Sequence, residues 1–163
     1  MITSILKKSL TAITGLGLVG FIITHLAGNA FLYAPDSVPF NTYVQKLHSW
    51  GIWITLAELG LGGLFLVHAV NGLLLKANNK AARPVGYKMW KSKKGPSHVG
   101  PSSMTMAITG TIILVFLIVH VIIFRFGPGI SEGYQAALNG ETARDLHRLV
   151  VETFQNPLWV ALH

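Results

Sequence analysis

MTMAITGTIILVFLIVHVIIFR, residues 104–125, is an apolar run closed by an arginine, with a single histidine, His120, set deep inside it. At about 1.5 Å of rise per residue such a helix crosses a hydrocarbon core of about 30 Å. Two further runs, residues 11–33 and 52–75, match it in length, and each also encloses one histidine, His25 and His68. Only helices of this kind satisfy their own backbone in lipid, so the expected fold is all-α, a polytopic transmembrane helical bundle. An ionisable imidazole in hydrocarbon is costly and needs a partner, which makes one per span a functional signal.

Composition agrees. The 163 residues are 51% hydrophobic and 12% charged, against about 25% charged in soluble domains, and the mean hydropathy is +0.51. The first run follows Lys7 and Lys8 as a secretory signal would, but it is longer than a signal core and carries His25 and Asn29. It therefore reads as a retained span. The chain has no cysteine, which excludes disulfides, iron–sulfur ligation and covalent haem attachment within it. Any redox cofactor must be held non-covalently.

The net charge of +7 is uneven. Lys76, Lys80, Arg83, Lys88, Lys91, Lys93 and Lys94 lie between the second and third runs, Lys7 and Lys8 precede the first, and none of the six acidic residues falls in these stretches. By the positive-inside rule the N-terminus and the 76–103 loop face the cytoplasm, and the connections 34–51 and 126–156 face outward. The expected location is the cytoplasmic (inner) membrane, multi-pass, with the basic loop against anionic lipid. Nucleic acid is not a plausible partner for such a chain.

Pro35 and Pro39 are expected to end the first helix in an outer loop, Pro84, Pro96 and Pro101 to interrupt the basic loop, and Gly127-Pro128-Gly129 to close the third helix. Asn156-Pro157 reads as an N-cap with proline at the first helical position. The single membrane-anchor domain 1–163 thus holds three full spans and the start of a fourth at about 157. That helix is expected to continue beyond His163 in a longer polypeptide.

Taking each span's midpoint as the bilayer centre, His25 and His120 lie about 5 and 8 Å toward the outside, and His68 lies about 7 Å toward the cytoplasm. Two neutral imidazoles at one depth on two helices are the arrangement that ligates a haem iron from both sides. Gly28 and Gly72 follow His25 and His68 by three and four positions, on the same faces, where a flat ring could approach the backbone. Gly20, Thr24 and Gly28 equally form a small-residue row for helix packing, and the histidines could instead bond between helices. Asn29 and Asn71 are nearby polar groups for a ligand or a neighbouring helix. Glu58, in the outer half of the second span, is expected to be desolvated and to take up a proton, a candidate for proton exchange with a quinone. Tyr43, Trp50 and Trp53 read as interfacial anchors, and His48, His98 and His147 as loop residues.

The motifs His25-Leu26-Ala27-Gly28-Asn29, His68-Ala69-Val70-Asn71-Gly72, Ser103-Met104-Thr105 with His120, and Leu149-Val150-Val151-Glu152-Thr153-Phe154 before Asn156-Pro157, in this order, resemble the succinate dehydrogenase/fumarate reductase cytochrome b membrane anchor, single-chain type with five helices and two b haems. The resemblance implies that His25 and His120 ligate a distal haem and His68 a proximal one. The family's second proximal ligand, on its fourth helix, and its fifth helix have no counterpart within these residues. It further implies an iron–sulfur subunit and a flavoprotein subunit as cytoplasmic partners and a quinone, menaquinone by family, as electron acceptor in respiratory complex II. The alternatives are a cytochrome b subunit of another complex, such as fumarate reductase, hydrogenase or formate dehydrogenase, and a haem-free anchor or assembly protein.

Overall fold

The computed structural model describes residues 4–82, 85, 101–138 and 140–162. Arg83, Pro84, Lys88, Lys91, Lys93, Lys94, Pro96, His98 and His163 lie outside the described residues. The chain is mostly helical: α1 (Ser4–Asn29), a 3-10 turn (Ala30–Tyr33), α2 (Val38–His48), α3 (Ile52–Ala81), α4 (Pro101–Phe124), a 3-10 turn (Ile130–Glu132), β1 (Gln135–Leu138), β2 (Glu141–Arg144), α5 (Leu146–Gln155) and α6 (Pro157–Leu162).

Three of these segments, Ile5–Tyr33, Ile52–Ala81 and Thr105–Phe124, are long and apolar enough to cross a membrane. They bury almost none of their apolar side chains: Leu16, Leu59, Ile108 and Ile112 are all more than 60% exposed. A water-soluble fold does not leave whole helices uncovered in this way, whereas lipid is as apolar as leucine and demands no burial. Both α1 and α3 continue past the apolar runs, α1 back through Lys8 and Lys7 to Ser4 and α3 on through Lys76 and Lys80 to Ala81. Lysine is a good helix former whose stem follows an apolar surface while its ammonium reaches water, so hydropathy falls there before the backbone changes.

α1 and α3 make the most extensive helix contact and run antiparallel. Gly17 lies against Leu64, and Gly15, two residues earlier, against His68, four residues later. α3 and α4 are tied at one end by an ion pair, Arg125 to Glu58 at 3.1 Å.

The buried apolar core lies elsewhere, in a cap over the α2 end of the helices: Phe40, Val44, Leu138 and Leu149. Loops were expected here, and the structure instead folds two helices and a hairpin. Pro39 does not prolong a loop; it sits in the first turn of α2, where its missing N–H costs nothing, and Asp36 accepts from the Val38 amide at 2.9 Å. Phe40, Asn41 and Val44 then face inward. Asn41, 1% exposed, donates to Asp145 Oδ1 at 2.8 Å and accepts from the His147 amide at 3.0 Å. Asp145 also caps α5 by accepting from the Arg148 amide at 3.0 Å, so one asparagine joins two helices separated by about a hundred residues of chain.

The hairpin corrects the all-α expectation. β1 and β2 pair antiparallel in the register Gln135 to Arg144 and Leu138 to Glu141, and Gly140, at φ +85°, takes the left-handed conformation that the tight turn requires. Its last residue, Arg144, donates to the carbonyls of Phe124, Gly127 and Pro128 at 2.9, 3.2 and 2.9 Å. These groups lie at or just beyond the C-terminal end of α4, and the guanidinium both bonds them and opposes the negative helix end. The cap is thereby fastened to α4. Beyond it, Asn156 Oδ1 accepts from the Leu158 amide at 2.9 Å and α6 starts at Pro157, as the sequence indicates.

Candidate functional site

His25 and His120 come together. Their ring centroids are 5.9 Å apart with the planes at 87°, although α1 and α4 are separated in sequence by α2 and α3. The depth count on the two helices predicts this meeting. Phenylalanines flank the pair. Phe21, one turn before His25, stacks on it at 5.2 Å and 14°; Phe116 and Phe124, one turn either side of His120, lie at 5.3 and 5.0 Å. Phe124 in turn stacks on Phe154 of α5 at 6.3 Å, so the cap bears on the histidine pair through one ring. Asn29 Nδ2 stands 3.4 Å from His25 Nε2, one turn on.

His68 is at another level. Its Nδ1 lies 3.1 Å from Thr14 Oγ1 and 3.2 Å from the Thr11 carbonyl. Thr14 precedes His25 on the same helix by eleven residues, or about 16 Å of rise. The single and the paired histidines are therefore axially well separated. Asn71, one turn beyond His68, has its Nδ2 buried with no hydrogen-bond partner among the described residues, beside a shallow concavity lined by Leu66, Val67 and Val70. Among the described residues, no three His, Asp or Glu side chains gather as a metal-binding cluster.

The two glycines part company. The face of Gly28, read as a possible approach for a planar ligand, instead receives Tyr43: a Cβ at Gly28 would lie 2.5 Å from Tyr43 Oη and 2.7 Å from Cε1 and Cζ. The small residue here serves the contact of α1 with α2, and Tyr43 also packs 5.3 Å from Phe31. At Gly72 a Cβ would meet nothing within 4 Å, so its backbone stays open to approach.

Glu58 is not a lone carboxylate. Arg125, one residue beyond α4, bonds it at 3.1 Å, and both side chains keep substantial exposure. The pair lies toward the same end of the helices as His25 and His120, since Arg125 follows His120 by five residues. The expectation of a carboxyl driven by desolvation alone to hold a proton must now include this cation.

Thr11, Thr14 and Gly15 as neighbours of His68, the phenylalanines beside the pair and Arg125 beside Glu58 are not evident from the sequence. A signal existed for some: Thr11 and Thr14 are three residues apart in an otherwise apolar run, on one face of a helix.

The donor set fits a non-covalent porphyrin iron. Imidazole nitrogens are donors that a porphyrin iron accepts, and the two paired rings stand 5.9 Å apart with their planes at 87°. The phenylalanines supply flat apolar walls. Comparison with family models, with curated proteins and with solved structures returns no match for this chain.

Proposed function

We propose that this chain is a haem b-bearing membrane anchor of a succinate:quinone oxidoreductase, conducting electrons from an iron–sulfur subunit to a quinone. The observation that carries the reading is the meeting of His25 and His120 across α1 and α4, with His68 at a separate level. Three histidines that merely bonded between helices would have no need of this division into a pair and a single. His25 and His120 are the residues that would hold a distal b haem, and His68 is one ligand of a proximal one. Such haems, when bound, supply one-electron transfer.

The chain's own residues set the conditions for that chemistry. Phe21, Phe116 and Phe124 lay apolar rings against the histidine pair, and Phe154 braces Phe124 from the cap. Glu58, beside Arg125, is the candidate to exchange a proton with quinone at this end. By the charge asymmetry the N-terminus and the basic loop face the cytoplasm, where the iron–sulfur and flavoprotein subunits would dock, and the cap faces outward. Menaquinone as the acceptor rests on the family resemblance.

The test is isolation of the tagged chain from its native membrane. The reading expects an iron–sulfur protein and a flavoprotein that oxidises succinate to accompany it. A hydrogenase or formate dehydrogenase partner in their place would retain the haem chemistry and refute the assignment to succinate.

A further inference from the structure

His68 is held on α1 by more than packing. A carbonyl oxygen can only accept a hydrogen bond, so the 3.2 Å contact of Nδ1 with the Thr11 carbonyl requires the hydrogen to be on Nδ1. Thr14 is consistent with that assignment. Its hydroxyl has the Leu10 and Thr11 carbonyls as acceptors at 2.7 and 3.2 Å, and donating to either leaves an oxygen lone pair for Nδ1 at 3.1 Å. Thr14 is 4% exposed, so water does not compete. Gly15 completes the arrangement: a Cβ there would lie 3.0 Å from His68 Cε1, tight enough to push the ring outward.

From these contacts we infer that Thr11, Thr14 and Gly15 form a positioning cradle that fixes His68 as its Nδ1–H tautomer and leaves Nε2 as the ring's only lone-pair donor. A neutral imidazole has one such nitrogen, and which one it is follows from the bond made by the other. For a ligand histidine this outer bond sets ring orientation and raises basicity, and its loss typically costs 10–100-fold in metal affinity. Only this last consequence rests on the reading of His68 as a haem ligand. Thr14 is the replaceable part, because Thr11 contributes a backbone group.

The tautomer is read directly by nitrogen NMR of the full chain, labelled with 15N-histidine and kept haem-free in lipid bilayers, with His68→Ala identifying the resonances. The cradle predicts protonated Nδ1 and bare Nε2 in the wild type and in Thr14→Ser, and growth of the opposite tautomer in Thr14→Val and Gly15→Ala. In the haem-loaded protein, Thr14→Val should lose haem to a competing apoprotein at least about 10-fold more readily than the wild type, with Thr14→Ser restoring retention. A wild-type His68 carrying its hydrogen on Nε2 overturns the inference, as does a Thr14→Val variant unchanged in tautomer. Should His68→Ala keep its full haem complement while the tautomers behave as stated, the ligand reading of His68 fails and the cradle stands.

Discussion

Replacing Gly28 with alanine sets two effects of opposite sign against each other. In a helix interior alanine is favoured over glycine by about 1 kcal/mol. Against that, the new Cβ would lie 2.5–2.7 Å from three atoms of Tyr43, roughly 1 Å inside ordinary carbon contact at 3.5–4.0 Å. The Tyr43 ring must then move or α2 must lift, and overpacking of this kind costs about 1–3 kcal/mol. Gly28→Ala is therefore expected to destabilise the docking of the cap by a net 0–2 kcal/mol, roughly. In a Tyr43→Ala background the clash is gone and only the helical gain remains, so the same substitution should stabilise by up to about 1 kcal/mol. Tyr43→Phe should rescue little, because Cε1 and Cζ remain at 2.7 Å. The assay exploits the absence of cysteine: a single cysteine at the buried Val44 position reacts with thiol reagents only when the cap opens, and its labelling rate reports the opening equilibrium. Equal effects of Gly28→Ala in the two backgrounds would refute the packing role argued for this glycine.

The cap should also respond to acid. Hydrogen bonds from the Tyr134 hydroxyl and the Arg148 guanidinium, both at 2.6 Å, hold the Glu152 carboxyl below the usual glutamate range. A depressed folded value contributes stability that is complete above the unfolded value, about 4.3, and is lost as pH falls through the folded one. Opening of the cap should accordingly accelerate below about pH 4.3, with a weaker response in Glu152→Gln; an unchanged profile in that variant removes Glu152 as the cause. Glu58→Gln should slow succinate-driven quinone reduction and spare the haem spectrum, whereas unchanged turnover from acid to alkaline pH would leave the Arg125 pair a purely structural tie. Cysteines introduced as Ser92→Cys and Ser131→Cys should be labelled from opposite sides of the membrane, and labelling of both from outside would reverse the proposed orientation.

The spans were legible because lipid imposes one rule along their whole length, an apolar surface on a self-satisfied backbone, and a single chain records that rule in composition. The meeting of His25 with His120 was legible for a related reason, since rise per residue converts position in a span directly into depth. The cap obeys no such rule. α5 is ten residues long with Leu149 and Thr153 as its buried contacts, and β1 and β2 are four residues each with Ala136, Ala137, Thr142 and Ala143 in their middle positions, too short and too mixed for periodicity to appear. The Asn-Gly dipeptide at 139–140 was nonetheless a local hairpin signal. Pro39 was read as a breaker because the same residue that stops one helix can open the next, although Asp36 and Ser37 before it are both capping residue types. The role of Gly28 and the partner of Glu58 depend on which side chain arrives from another element. Tyr43 and Arg125 are distant in sequence, and helix-face reasoning on α1 or α3 alone does not find them.

A reduced-minus-oxidised absorption spectrum of the membrane-inserted chain and its histidine variants decides whether the paired histidines hold a haem. Expected are a low-spin b-type signal in the wild type, loss of one and the same spectral component in His25→Ala and His120→Ala, and retention of that component in His68→Ala. A full b-type signal in His25→Ala with the protein inserted, or no b-type signal in the wild type, would contradict that expectation.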